Sequence, residues 1–144
     1  MNIILGTLLS IIFFTLSLIH VYWLFGGEKG LEEALPFPSI NAKSPVFRPG
    51  KLGILLVSAI LGCLGIFVII KTYGPNLRLN ILPDYLEYYF FNVVAFLFFI
   101  RAIGDFKYVG ITKKVKGTKF SKWDSFLYIP LCLVISVLTL IINH

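Results

Sequence analysis

Several residues in this chain carry side chains able to move protons or hold charge, and they stand at the ends of long apolar runs. His20 lies near the end of the first run, with Tyr22 and Trp23 close behind it. An imidazole titrates near neutrality and serves as acid, base or ligand, and ionisable groups at membrane depth are functional suspects by default. Arg101 and Asp105, four residues apart at the end of another run, share a helix face. The planar fork of such an arginine suits a carboxylate or a phosphate. Asp105 falls at the negative end of its helix dipole and needs a cation. Arg101 is the nearest on that face, and a bridge from Arg101 to Asp124 is the alternative. Trp123, Asp124 and Tyr128 open the last run. The candidate pocket is therefore His20, Trp23, Arg101, Asp105, Trp123, Asp124 and Tyr128, with no catalytic residue assigned.

Each of these also has a structural reading. His20 can be a hydrogen-bonded interfacial residue, and Arg101 with Asp105 can merely fix a helix end. Ser121-Lys122-Trp123-Asp124 matches the Ser/Thr-x-x-acid capping box, which would make Asp124 part of a helix cap and start that helix near Ser121. Trp123 and Tyr128 suit an aromatic belt. Glu28, Glu32 and Glu33 read as solvated acids, although Glu32 reaches His20 or Arg101 if its loop folds back. Asn92 reads as glue between helices.

The elements that must position these groups are membrane spans. The chain has 144 residues, 58% of them hydrophobic and only 14% charged, which excludes an ordinary globular enzyme and intrinsic disorder alike. Four apolar stretches, about 3–25, 52–70, 84–103 and 122–142, are each long enough to cross hydrocarbon. The fold class is all-α, a bundle of four transmembrane helices in a single integral membrane domain. The first stretch reads as a span rather than a cleaved signal peptide, since no basic residue precedes it and no small-residue cleavage site follows. The second ends at Lys71, ahead of a Gly74-Pro75-Asn76 turn and an alternation of Leu77, Leu79 and Ile81 that suits a surface strand or an interfacial segment. The third opens with Pro83, Asp84 and Glu87, favourable at a helix start. In the fourth, Pro130 cannot donate to the carbonyl of Phe126, so a kink or a locally freed carbonyl is expected there. Gly6-x-x-x-Ser10, Ser58-x-x-x-Gly62 and Gly65 permit close helix approach.

Charge orients the bundle. Eleven of the thirteen Lys and Arg residues fall in or beside the first and third loops, and only Lys71 and Arg78 fall on the other side. The positive-inside rule then places loops 1 and 3 in the cytoplasm and both termini outside, so every candidate residue sits at the cytoplasmic helix ends. The lysines of loop 3 read as a solvated face that sets topology and touches anionic lipid, not as a nucleic-acid site.

Other chemistries lack their patterns. Cys63 and Cys132 form no C-x-x-C pair and read as buried apolar thiols. Metal-ligand spacing, a phosphate-binding loop, a dinucleotide fingerprint and a nucleophile elbow are missing from the sequence, so no metal and no cofactor is expected.

The stretches His20-Val21-Tyr22-Trp23 with Gly26-Gly27, Arg101-Ala102-Ile103-Gly104-Asp105-Phe106 with Tyr108-Val109-Gly110, and Thr118-Lys119-Phe120 with Trp123-Asp124 and Tyr128-Ile129-Pro130-Leu131-Cys132 resemble a family of small bacterial four-helix membrane proteins, domain of unknown function 3995. The resemblance spans nearly the whole chain. It implies a four-span bundle in the bacterial cytoplasmic (inner) membrane and a shared set of His20, Trp23, Arg101, Asp105, Trp123 and Asp124. It implies no activity.

The leading expectation is a pocket at the cytoplasmic helix ends that binds a membrane lipid or another lipid-soluble small molecule. Arg101 would hold the anionic group, Trp23 and Trp123 would flank it, and His20 would hydrogen-bond. The rival classes are a membrane enzyme with His20 as general base, and an accessory subunit packed on a membrane protein partner or a second copy through its Gly/Ser faces.

Overall fold

The structure, a computed structural model, describes residues 2–77 and 82–144. Apolar runs with no charge to solvate can cross hydrocarbon only as helices, because a helix satisfies its own backbone. The regular elements among the described residues are accordingly all helical: α1 (Asn2–Leu24), α2 (Leu31–Ala34), α3 (Lys51–Leu77), α4 (Asp84–Ile103), α5 (Lys119–Trp123) and α6 (Ile129–Asn143), with a π turn, Asp124–Tyr128, joining α5 to α6. Four helices are long and apolar enough to span a membrane: Ile3–Leu24, Lys51–Gly74, Asp84–Ile103 and Lys119–Asn143. The outer faces match the solvent they are built for, since Ile4, Leu18, Leu52, Phe96 and Phe126 stand exposed while Ser10, Ser58, Ser136 and Thr139 are buried. The two thiols divide in the same way: Cys132 is buried, whereas Cys63, expected inside, stands on an outer face.

The helices pack as two antiparallel pairs, α1 with α3 and α4 with α6. Small residues set the first seam. A side chain at Gly6 would collide with Thr72, one at Gly65 would press on the Phe14 ring, and Ser17 and Ser58 each donate to the other's carbonyl, at 2.8 and 3.2 Å. The second seam is held by Ser136 donating to Ala95 O at 2.8 Å and Asn143 to Tyr88 O at 3.1 Å. Asn92, expected to bridge helices, instead bonds Tyr88 O within its own helix, because its amide lies one turn from that carbonyl. Phe13 and Phe98, with ring centroids 5.7 Å apart, join the two pairs.

Three boundaries differ from the sequence reading. α3 does not stop at Lys71, because that ammonium pairs with Glu87 of α4 and so stays inside the helix. The helix continues through the Gly74-Pro75-Asn76 signal, and the alternation at Leu79 and Ile81 lies outside the described residues. The fourth span starts at Lys119, with Thr118 as its cap: Ser121 N donates to Thr118 Oγ1 at 3.0 Å. Ser121 is therefore not the cap, and Asp124 is not part of a capping box. In place of a kink at Pro130, the helix widens just before it, with Ile129 N–H reaching back five residues to Asp124 O. The proline then falls in the first turn of the renewed α-helix, where a missing N–H costs little.

Loops 25–50 and 104–118 lie at one end of the bundle, joined by a Lys119–Glu32 ion pair at 3.1 Å. The first loop does fold back: Leu35 is buried, α2 packs on α5, and Trp23 Nε1 donates to Lys29 O at 2.9 Å. The third loop closes the end of α4. Ile111 N–H and Thr112 N–H reach Ala102 O and Ile103 O, which would otherwise be bare at a helix terminus. That return brings Gly104 and Gly110, both at positive φ, into backbone contact.

Candidate functional site

Closure of loop 3 over α4 delivers an unusual polar cluster to the fourth span. Asp124 is fully buried at the start of the π turn. Its Oδ1 accepts from Arg101 Nη2 at 3.1 Å, and its Oδ2 accepts from Lys113 Nζ at 3.0 Å and from Gly110 N at 2.8 Å. Lys113, only 4% exposed, also donates to Ser125 Oγ at 2.7 Å. Burying a carboxylate is costly unless its oxygens are fully partnered, and those of Asp124 are. Two cations share this one anion, so the cluster keeps a surplus positive charge.

That charge borders a cavity of about 840 Å³ between the two helix pairs. Its walls are apolar: Leu16 and Ile19 of α1, Val57 and Leu61 of α3, Phe98 of α4, and Leu131 and Ile135 of α6. Phe120, Leu127, Tyr128 and Cys132 complete the fourth-span side, and Ala34 closes it from the folded-back loop. Its polar residues are few and, apart from Thr15 within α1, lie at the loop end, among them His20, Trp23, Lys29, Arg101 and Tyr128. Among the described residues, no Asp or Glu lines it. Arg101 Nη1 is buried without a hydrogen-bond partner among the described residues, a guanidinium donor left over after Nη2 has met Asp124.

His20 Nδ1 lies 2.7 Å from Leu16 O. A carbonyl only accepts, so Nδ1 is the protonated nitrogen, and in the neutral ring the lone pair sits on Nε2. The imidazole also meets the Trp23 ring edge-on, with centroids 5.0 Å apart.

Of the seven residues singled out in the sequence, four line the cavity: His20, Trp23, Arg101 and Tyr128. Asp124 stands behind Arg101. Trp123 does not belong to the pocket; it is 44% exposed and packs against Phe126 on the outside, as an aromatic belt residue does. Asp105 is also elsewhere. It does not pair with Arg101, because three loop amides reach it first: its Oδ1 accepts from Lys107, Tyr108 and Val109 N–H at 3.0, 2.7 and 2.9 Å. Burial pushes its carboxyl up, but hydrogen bonds from Val109, Lys107, Tyr108 and its own backbone outweigh that and hold it below the ordinary carboxylate value. Glu32 reaches neither His20 nor Arg101, having been taken by Lys119.

Sequence reasoning missed Lys113, which it counted among the solvated lysines, and the cavity role of Cys132. No spacing marks Lys113 among its neighbours; only the path of loop 3 buries it. Among the described residues, no group of three or more His, Cys, Asp or Glu comes close enough to hold a metal ion.

Fold and cluster together define a class: a small helical membrane protein with four spans and a lateral cavity at the end where its loops fold back. The chain matches the family described as Protein of unknown function (DUF3995) over residues 13–139, and it belongs to that family. The match includes every residue of the Asp124 cluster and of the cavity. No curated protein and no solved structure matches it.

Proposed function

We propose that the protein binds an anionic amphiphile in this cavity, with the headgroup at Arg101 and the hydrocarbon along the α1, α4 and α6 walls. One observation carries the reading: an apolar cavity whose lining includes Arg101 and no carboxylate, while the one acid that touches Arg101 is already shared with Lys113. A guanidinium nitrogen such as Arg101 Nη1, buried with no hydrogen-bond partner among the described residues, is costly beside hydrocarbon, and an incoming carboxylate or phosphate relieves that cost. The volume lies within the range of small-molecule sites, which suits a single hydrocarbon chain better than a whole two-chain phospholipid. Trp23 and Tyr128 would flank the headgroup, in the place first assigned to Trp23 and Trp123.

The test is native mass spectrometry with lipid identification on protein extracted in mild detergent. A small molecule retained by the wild type should fall at least tenfold in occupancy in Arg101→Gln, the loss expected when a charge-assisted pair is removed. Equal retention by the variant would remove the assignment. A second reading, a membrane enzyme with His20 as general base, draws on the lone pair that the Leu16 bond leaves on Nε2. It requires His20→Gln to keep the retained molecule but halt its conversion, whereas a binding protein shows no conversion in either form.

We further infer that the protein resides in the bacterial cytoplasmic membrane with loops 1 and 3 inside, because eleven of thirteen Lys and Arg residues gather at that end. A reporter enzyme fused after His144 should be active only outside the cytoplasm. Activity inside would reverse the orientation.

A further inference from the structure

Asp124 has a second neighbourhood. Lys113, Lys116, Lys122, Ser121 and Ser125 line a groove of about 520 Å³ between loop 3 and the start of the fourth span, and no residue lines both this groove and the Arg101 cavity. Lys113 is the buried residue of this lining, and its Asp124 counter-ion is already shared with Arg101. An ammonium has three donors, and Asp124 and Ser125 take two of them. Ser125 Oγ accepts from Lys113, so its own proton is free to donate, and Ser121 adds a second hydroxyl. Lys116 and Lys122 stand exposed at the rim, and among the described residues neither has an acidic partner. Among the described residues, no carboxylate lines the groove. Its remaining walls, Ile111 and Ile129, are apolar, and Ile111 is largely exposed beside it.

We propose that this groove is an oxyanion site for a phosphate group, separate from the amphiphile cavity and independent of whether that cavity is filled. Up to three ammonium groups and two hydroxyls meet the several acceptor oxygens of a tetrahedral phosphate, a match that a single carboxylate ligand does not use fully. The phosphate is carried either by a lipid headgroup or by a free ion. The exposed Ile111 and the outward Trp123 set the groove at the level of a membrane interface.

Two arms separate the sources. In the first, wild-type protein in phosphatidylcholine nanodiscs doped with phosphatidylglycerol is examined by native mass spectrometry for bound phosphatidylglycerol. In the second, inorganic phosphate is titrated calorimetrically into detergent-purified protein. Binding in either arm, weakened roughly tenfold or more by the Lys116→Gln, Lys122→Gln double variant, supports the site and identifies which carrier it accepts. Both lysines are exposed, so the variant should fold. One control keeps the result specific. Lys107→Gln, Lys114→Gln, which removes two bases from the same loop outside the groove, must weaken the binding far less. Binding in neither arm overturns the proposal. So does an equal loss in the Lys107, Lys114 control, which would mean surface potential alone.

Discussion

Asp124→Ala is expected to destabilise the protein by about 3–5 kcal/mol, the cost of removing one partner from a buried ion pair. The substitution leaves Lys113, 4% exposed, without its counter-ion, and Gly110 N–H without an acceptor. It also frees Arg101 from the bond that holds Nη2. Loop 3 should detach from the fourth span, because Gly110 and Lys113 are its two ties to that carboxylate. Thermal unfolding in detergent, followed by loss of monodisperse protein, reads the effect. Asp124→Asn keeps the shape and one accepting oxygen, so it should fall between the wild type and alanine. Adding Lys113→Met to Asp124→Ala should recover part of the loss, since an apolar side chain in that place no longer demands an anion. An alanine variant as stable as the wild type would show that the cluster contributes nothing to the fold.

Gly104→Ala is the second large effect, and its cause is geometric rather than electrostatic. Gly104 adopts φ 96° and ψ −167°, a region essentially closed to residues with a Cβ, which alone costs about 1–3 kcal/mol. The added methyl would also lie 1.7 Å from Val109 O and 2.7 Å from Gly110 Cα, backbone atoms that cannot swing aside. The return of loop 3 over α4 would have to open, so the total should exceed roughly 3 kcal/mol, the strain plus the overpacking. Gly110→Ala meets Ile103 O at 2.3 Å and should behave alike. Gly50, where an added methyl would find nothing within 4 Å, serves as the control and should tolerate alanine within about 0.5 kcal/mol. The same unfolding measurement ranks all three, and a Gly104 variant no weaker than the Gly50 variant would refute the close-approach argument.

The spans were legible because uncharged apolar runs have one folded solution in hydrocarbon, and α4 begins where Pro83, Asp84 and Glu87 suggest. Pairing across helices was less legible. Lys71 looked like a span end because a lone charge ends most spans, yet Glu87 supplies a partner from α4, sixteen residues away in sequence. Asp124 fitted a capping pattern by spacing alone, while Thr118 takes the cap one turn earlier and releases Asp124 for the cluster. Arg101 was correctly placed beside Asp124 as one of two options; the choice turned on loop amides that satisfy Asp105 locally, which no helix-face argument includes. The cavity itself has no sequence signature. Its lining is drawn from all four spans and from the folded-back loop, a combination that only the packing of the two helix pairs brings together.

That pairing has a bearing on how the molecule is made. Each pair is contiguous in the chain, α1 with α3 and then α4 with the fourth span. The first hairpin can close its Gly/Ser seam in the bilayer while the second is still being synthesised, since neither seam borrows a residue from the other pair. Only then can Phe13 meet Phe98 and Lys119 meet Glu32. The cavity is thus the last part of the protein to come into existence during biogenesis, and the amphiphile proposed for it, already dissolved in the surrounding lipid, could be enclosed as the two hairpins dock, without ever needing an entrance from water.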